Sequence, residues 1–162
     1  MSAGADAVRG VGPAATAARS RLALLARAAG AILCVRALLW RGGLPDARRW
    51  VRSRPRGTAR GAAAHDHRVV AWSVRAAARL VPGATCLTQA LAGQSLLRGR
   101  GRGSTVRVGV RPEGAGPALA LAGHAWLIAD GKVLLGGADS LARHAIALEL
   151  TVDADEPTER AR

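Results

Sequence analysis

The chain has 162 residues, a net charge of +13, no Phe, no Tyr and only four Trp. That length predicts one domain with a real core, which Ala, Leu and Val must fill. Two cysteines, Cys34 and Cys86, exclude a disulfide framework, and the preference for Arg over Lys reads as compositional bias, not as a functional signal.

The charge is uneven. Residues 1–111 hold 20 Arg against Asp6, Asp46 and Asp66, giving +17, whereas residues 112–162 hold four basic and eight acidic residues, giving −4. Such a field attracts nucleic acid, anionic lipid or an acidic peptide; a merely solvated basic surface reads the same way. With so few aromatic side chains, base stacking has little support and no nucleic-acid partner is expected.

Residues 1–18 are small and polar and predict a flexible start. Residues 20–41, rich in Ala, Leu and Arg, predict a helix that Gly42-Gly43-Leu44-Pro45 stops. Its apolar stretch, Leu22 to Trp40, lies too far from the N-terminus for a secretory signal. Arg27 and Arg36 argue against a membrane span, since a charge at mid-bilayer costs roughly 2.5–3.5 kcal/mol. Peripheral membrane contact through this segment stays open. A cytoplasmic protein with reduced thiols is expected. Residues 46–52 suit one more short helix, and 53–64, with Pro55, Gly57 and Gly61, read as a linker.

Asp66 is placed to cap a helix over 68–81, where Val70, Val74, Ala77 and Val81 form one stripe. Pro82-Gly83 ends it. Thr85 is the expected N-cap of a helix over Cys86–Leu97. Arg98–Gly103 is a glycine-rich turn. Thr105–Val110 predicts a strand with Val106, Val108 and Val110 inward, and 112–117 a loop. Ala118–Ala129 and Lys132–Leu135 predict two strands joined by Asp130-Gly131, a strong hairpin signal. Residues 138–150 pair again or form a short helix, and 153–162 fray. The fold class is α+β: a basic helical region over 1–62, a core over 63–152 and a tail over 153–162.

Cys86 follows a Pro-Gly turn and opens its helix, where the N-terminus stabilises a thiolate. A buried cysteine acting as a small hydrophobe is the plainer alternative; Cys34, inside an apolar helical run, has only that reading. Thirty-eight residues on, His124 sits on a strand with Trp126 on its face. Alone, His124 reads as a core histidine. Together with Cys86 it makes the layout of a papain-like or transglutaminase-like thiol enzyme, in which the imidazole takes or holds the thiol's proton. The backbone N–H of Cys86 is the candidate oxyanion donor.

Extending the hairpin places His124 opposite Gly137, with Asp139 as its diagonal neighbour. Asp139 is thus the candidate orienter of the imidazole, or else the cap of a helix over 140–144; Asp130 is a turn residue. His65, His67 and His144 match no ligand spacing, so no metal is expected. The run Gly99–Gly103 lacks the lysine and following helix of a phosphate loop, and no cofactor is expected.

The run from Cys86-Leu87-Thr88-Gln89-Ala90-Leu91 to Arg98, the strand Val106–Val110 and the hairpin Gly123-His124-Ala125-Trp126-Leu127 with Asp130-Gly131 together resemble the transglutaminase-like leader peptidases of lasso-peptide biosynthesis, the B proteins. The resemblance spans roughly 66–150. It implies a cysteine protease that removes the leader of a ribosomally made precursor, before an asparagine-synthetase-like cyclase closes the ring. Cys86 and His124 carry over. The family often has Asp twelve residues after the histidine, where this chain has Gly136, so Asp139 substitutes or the site is a dyad. Residues 1–60 show no strands able to build the winged-helix-like recognition domain of this family, which implies the split form with a separate partner. Two other readings compete: a transglutaminase-like acyl transferase, and a non-catalytic Arg-rich module binding nucleic acid or membrane.

Overall fold

The structure is a computed structural model that describes residues 13–113 and 120–152. The Ala/Leu/Arg-rich N-terminal segment forms α1 (Pro13–Ser53), whose helical path breaks at Gly43 (φ 70°, ψ −160°). The break falls inside the expected stop signal, because glycine reaches positive φ without steric cost and Pro45 can donate no helical hydrogen bond. The short helix expected over 46–52 is the continuation of α1 beyond the break. The flexible start expected over 1–18 gives way to helix from Pro13; residues 1–12, the tail over 153–162 and the loop residues 114–119 lie outside the described residues.

α1 shares its core with the next two helices, α2 (Ala63–Ala78) and α3 (Cys86–Arg98). Its Ala28, Ile32, Val35, Ala47 and Val51 are fully buried in one cluster with residues of both. Residues on either side of position 62 therefore belong to a single hydrophobic core.

α2 starts earlier than expected, with Ala62 as its N-cap, and Asp66 lies in its first turn without capping it. The Asp66 carboxylate is buried and accepts from Arg100 (3.2 Å) and from Nε of Arg102 (2.8 Å). The Arg-Gly run after α3 is thus a clamp onto α2. Removing a partner from a buried ion pair strands the remaining charge. Asp66→Ala is expected to cost roughly 3 kcal/mol, read as a lower urea midpoint at unchanged slope.

The sheet has four antiparallel strands: β1 (Ser104–Glu113), β2 (Ala120–Ala129), β3 (Lys132–Leu135) and β4 (Ala145–Val152), in the order β3-β2-β1-β4. Between β3 and β4 lies a single turn, α4 (Ala138–Leu141). Asp130 (φ 47°) and Gly131 (φ 70°) turn the β2–β3 hairpin with the two left-handed residues of a type I′ turn.

One face of the sheet carries α3. Val106, Ala125, Leu127, Leu135 and Leu150 are buried there with Leu91 and Leu97. The approach is close at Gly93, where an added Cβ would meet Leu127 at 2.6 Å and Leu135 at 3.1 Å. Gln94, buried on the same helix, donates to the carbonyls of Ser104 (3.1 Å) and Leu150 (2.7 Å), tying α3 to β1 and β4. The opposite face is polar where it meets water: Arg107 pairs with Glu149 (2.6 Å) and Thr105 with Thr151 (3.1 Å).

Candidate active site

Cys86 is the first residue of α3, as expected. The Thr85 hydroxyl accepts from the N–H of Thr88 (3.3 Å) and so caps the helix. Gln89 reaches back to the carbonyl of Ala84 (2.8 Å) and closes the preceding turn. The first N–H groups of a helix have no acceptor within it. Those of Cys86 and Leu87 lie at the helix start, where the half-buried thiol also sits. Cys34 lies mid-helix in α1. Burial pushes its thiol pKa above the ordinary value, and the positive charge of Arg54 only partly offsets this.

His124 is on β2, paired opposite Gly109 of β1. Alternation along β2 turns Ala125, Leu127 and Ala129 toward α3, and His124 and Trp126 toward the other face. There the three rings of His124, Trp126 and His144 pack together. His124 and Trp126 meet edge-on with centroids 4.8 Å apart, Trp126 and His144 at 5.1 Å, and His124 and His144 at 5.8 Å. Trp126, expected on the same face as His124, is fully buried in this cluster. Gly109 is part of the same fit, because an added Cβ would lie 3.0 Å from both Trp126 and His144.

Nε2 of His124 lies 2.8 Å from the carbonyl oxygen of Gly136. A carbonyl can only accept, so Nε2 carries a proton, and in the neutral ring Nδ1 keeps its lone pair. The same carbonyl accepts from Ser140 Oγ (3.0 Å), and Ser140 Oγ in turn accepts from the indole N–H of Trp126 (2.8 Å). His144 Nδ1 donates to the Ser140 carbonyl (2.8 Å). His124 is therefore held by ring packing on one side and by the Gly136–Ser140 turn on the other.

The expected pairing of His124 with Asp139 is not formed. The hairpin begins in the expected register, Ala129 opposite Lys132 and Ile128 opposite Val133, but shifts so that Leu127 faces Leu135. Leu134 is the extra residue of this bulge, and its carbonyl accepts from Arg75 (2.6 Å) instead of from β2. Pairing then stops. Gly136 and Gly137 (φ 97° and 78°) turn the chain into α4, where Asp139 is exposed in the first turn; the residue before α4, Gly137, makes no side-chain cap. The position twelve residues after the histidine does meet the imidazole, through its main-chain oxygen. Asp130 is a turn residue, as expected, 3.9 Å from His67 of α2.

The roles of the Gly136 carbonyl, Ser140 and His144 beside His124 were not read from the sequence. The Gly-Gly pair was the available signal, since two adjacent glycines after a strand mark a turn, but only the observed bulge tells which carbonyl it presents.

The transglutaminase-like superfamily matches residues 31–149, more than half of the chain. The chain belongs to this superfamily. The match begins inside α1, well before the stretch that carried the sequence resemblance, in agreement with the shared core. Comparisons with curated proteins and with solved structures give no match. A transglutaminase-like domain with helices packed on a small antiparallel sheet is the architecture observed, and the superfamily includes cysteine proteases and acyl transferases, usually cysteine-dependent. Among the described residues of this transglutaminase-like chain, Cys86 and His124 share no hydrogen bond, and no cluster of three or more His, Cys, Asp or Glu is present.

Proposed function

We propose that this transglutaminase-like chain is a cysteine protease that removes the leader from a ribosomally made lasso-peptide precursor, before a separate asparagine-synthetase-like cyclase closes the ring. The observation that carries the reading is the thiol at the start of a capped helix in a chain of this superfamily. The Cys block, the Val-rich strand and the His-Ala-Trp hairpin supply the finer resemblance. Cys86 is the nucleophile. His124, protonated at Nε2, offers the Nδ1 lone pair to the thiol. The N–H of Cys86 receives the oxyanion. Attack on the scissile carbonyl forms a thioester and releases the amine of the core peptide, with the proton returned by the imidazole; water then frees the leader acid.

Attack requires Sγ and Nδ1 in contact. Catalytic hydrogen bonds of free enzymes are often long and close only in the complex. Alternation along β2 turns His124 away from the sheet face that α3 covers, so in this reading precursor binding must bring Sγ and Nδ1 together. Incubating the chain with precursor and recognition partner, then weighing the products, tests the reading. Leader acid plus core amine is the expected pair. A leader joined to an added amine would make the chain an acyl transferase.

The same reading assigns leader recognition to a separate partner. In the described part of residues 1–60 the only regular element is α1, which has no strands to build a recognition domain. A partner gripping the leader supplies the scissile bond at high effective concentration. Labelled leader is therefore expected to bind this chain alone at least about a hundredfold more weakly than chain and partner together, in fluorescence anisotropy at physiological salt. Equal affinity with and without the partner would move recognition into this chain.

A further inference from the structure

α1 carries a feature that the proposed protease does not use. Its segment from residue 18 is long and apolar enough to cross a membrane, yet only 22% of the most apolar window is buried. The exposed apolar residues are ordered. Leu22, Ala26, Gly30, Leu33, Ala37 and Trp40 are all exposed, at steps of three or four residues, and so lie in one stripe along the helix. The large ones stand far out: Leu22 at 66%, Leu33 at 52% and Trp40 at 87% of full exposure. The opposite stripe, Ala28, Ile32 and Val35, is buried in the core shared with α2 and α3. A helix committed to a protein core along one side cannot be surrounded by lipid. It can only lie flat at a surface.

The charges select the surface. Arg19, Arg21, Arg27 and Arg41 lie along the same segment, Arg36 donates to the Pro82 carbonyl instead, and α1 has no acidic residue before Asp46. An apolar stripe bordered by arginines, with a tryptophan at one end, suits an anionic membrane interface. The arginine stems lie along the apolar zone while their heads reach phosphate, and the indole settles at headgroup depth. A second copy of this chain fits poorly, because pairing the stripes would bring like charges together.

We propose that the outer face of α1, from Leu22 to Trp40, docks this protein on an anionic lipid bilayer as a monotopic helix. Lipid docking is independent of the protease reading and stands or falls without it.

The experiment is co-sedimentation of the full chain with phosphatidylcholine vesicles, with and without phosphatidylglycerol, for wild type, Leu33→Glu, Trp40→Glu and the pair Arg19→Glu/Arg41→Glu. These side chains are off the core, and circular dichroism melts check that each variant folds. Wild type is expected to sediment with the anionic vesicles only, and added salt to weaken this by screening. Each apolar-to-Glu change is expected to weaken binding about tenfold or more, and the double arginine change to abolish the preference for anionic lipid. Wild type that stays in the supernatant with anionic vesicles overturns the proposal, whatever the variants do. So does a lipid-free dimer that Trp40→Glu dissolves, which would assign the stripe to self-association.

Discussion

Cys86→Ala is expected to abolish precursor cleavage, a loss of about 10⁴-fold or more in turnover, whereas Cys34→Ala is expected to leave the rate unchanged. The two thiols differ in what surrounds them, not in kind. Cys86 opens α3 after the Thr85 cap, at the end where the first N–H groups have no acceptor within the helix. Cys34 sits mid-helix, its thiol held toward the neutral form by burial, so little of it is thiolate near neutral pH. The measurement is cleavage of precursor in the presence of the recognition partner, followed by mass spectrometry. Labelling with a thiol-directed alkylating agent gives a second readout that needs no substrate: Cys86 should react first. Full cleavage by Cys86→Ala would end the thiol-protease reading. Loss of cleavage in Cys34→Ala with unchanged folding would shift the nucleophile to α1.

Much of the fold was legible because its signals are local. Thr85 before Cys86 is a side-chain cap, and Asp130-Gly131 is the backbone preference of one turn type; both need only their neighbours in sequence. The alternation in β1 and β2 and the stop at Gly43 are of the same kind. What the sequence did not yield depends on distant partners. Asp66 read as a helix cap, but it is the anchor of Arg100 and Arg102, more than thirty residues away. The N-terminal 62 residues read as a separate region, since nothing local in an Ala/Leu helix says what its buried stripe packs against. The site failed to read through at one residue. A two-stranded register extrapolates correctly only until a bulge, and Leu134 forms one here, its carbonyl accepting from Arg75 of α2. Past that point every facing residue shifts, and Asp139 leaves the face of His124.

That shift makes Gly136 the position to test. Gly136→Ala is expected to lower turnover by about 10²- to 10³-fold, and Asp139→Asn to leave it within about twofold, relative to the roughly 10⁴-fold cost of a wrong tautomer in a comparable acid-containing triad. One hydrogen bond sets which nitrogen of His124 carries the proton: its Nε2–H donates to the Gly136 carbonyl at 2.8 Å. A displaced carbonyl should cost somewhat less than the triad limit. At φ 97° an alanine is strained, and its Cβ would lie 2.6 Å from both the Ala125 carbonyl and the Trp126 ring. The turn must therefore move, which costs roughly 1–3 kcal/mol of stability as well. Stability alone would not change which nitrogen holds the proton, so ¹⁵N NMR of the imidazole separates the two effects. Wild type and Asp139→Asn should both show the proton at Nε2, and Gly136→Ala a mixture. Asp139, exposed in α4 and without a hydrogen bond to His124, has no route to the imidazole in this arrangement. A loss in Asp139→Asn as large as that in Gly136→Ala would mean that α4 swings its carboxylate onto His124 when substrate binds, and would restore the acidic third member.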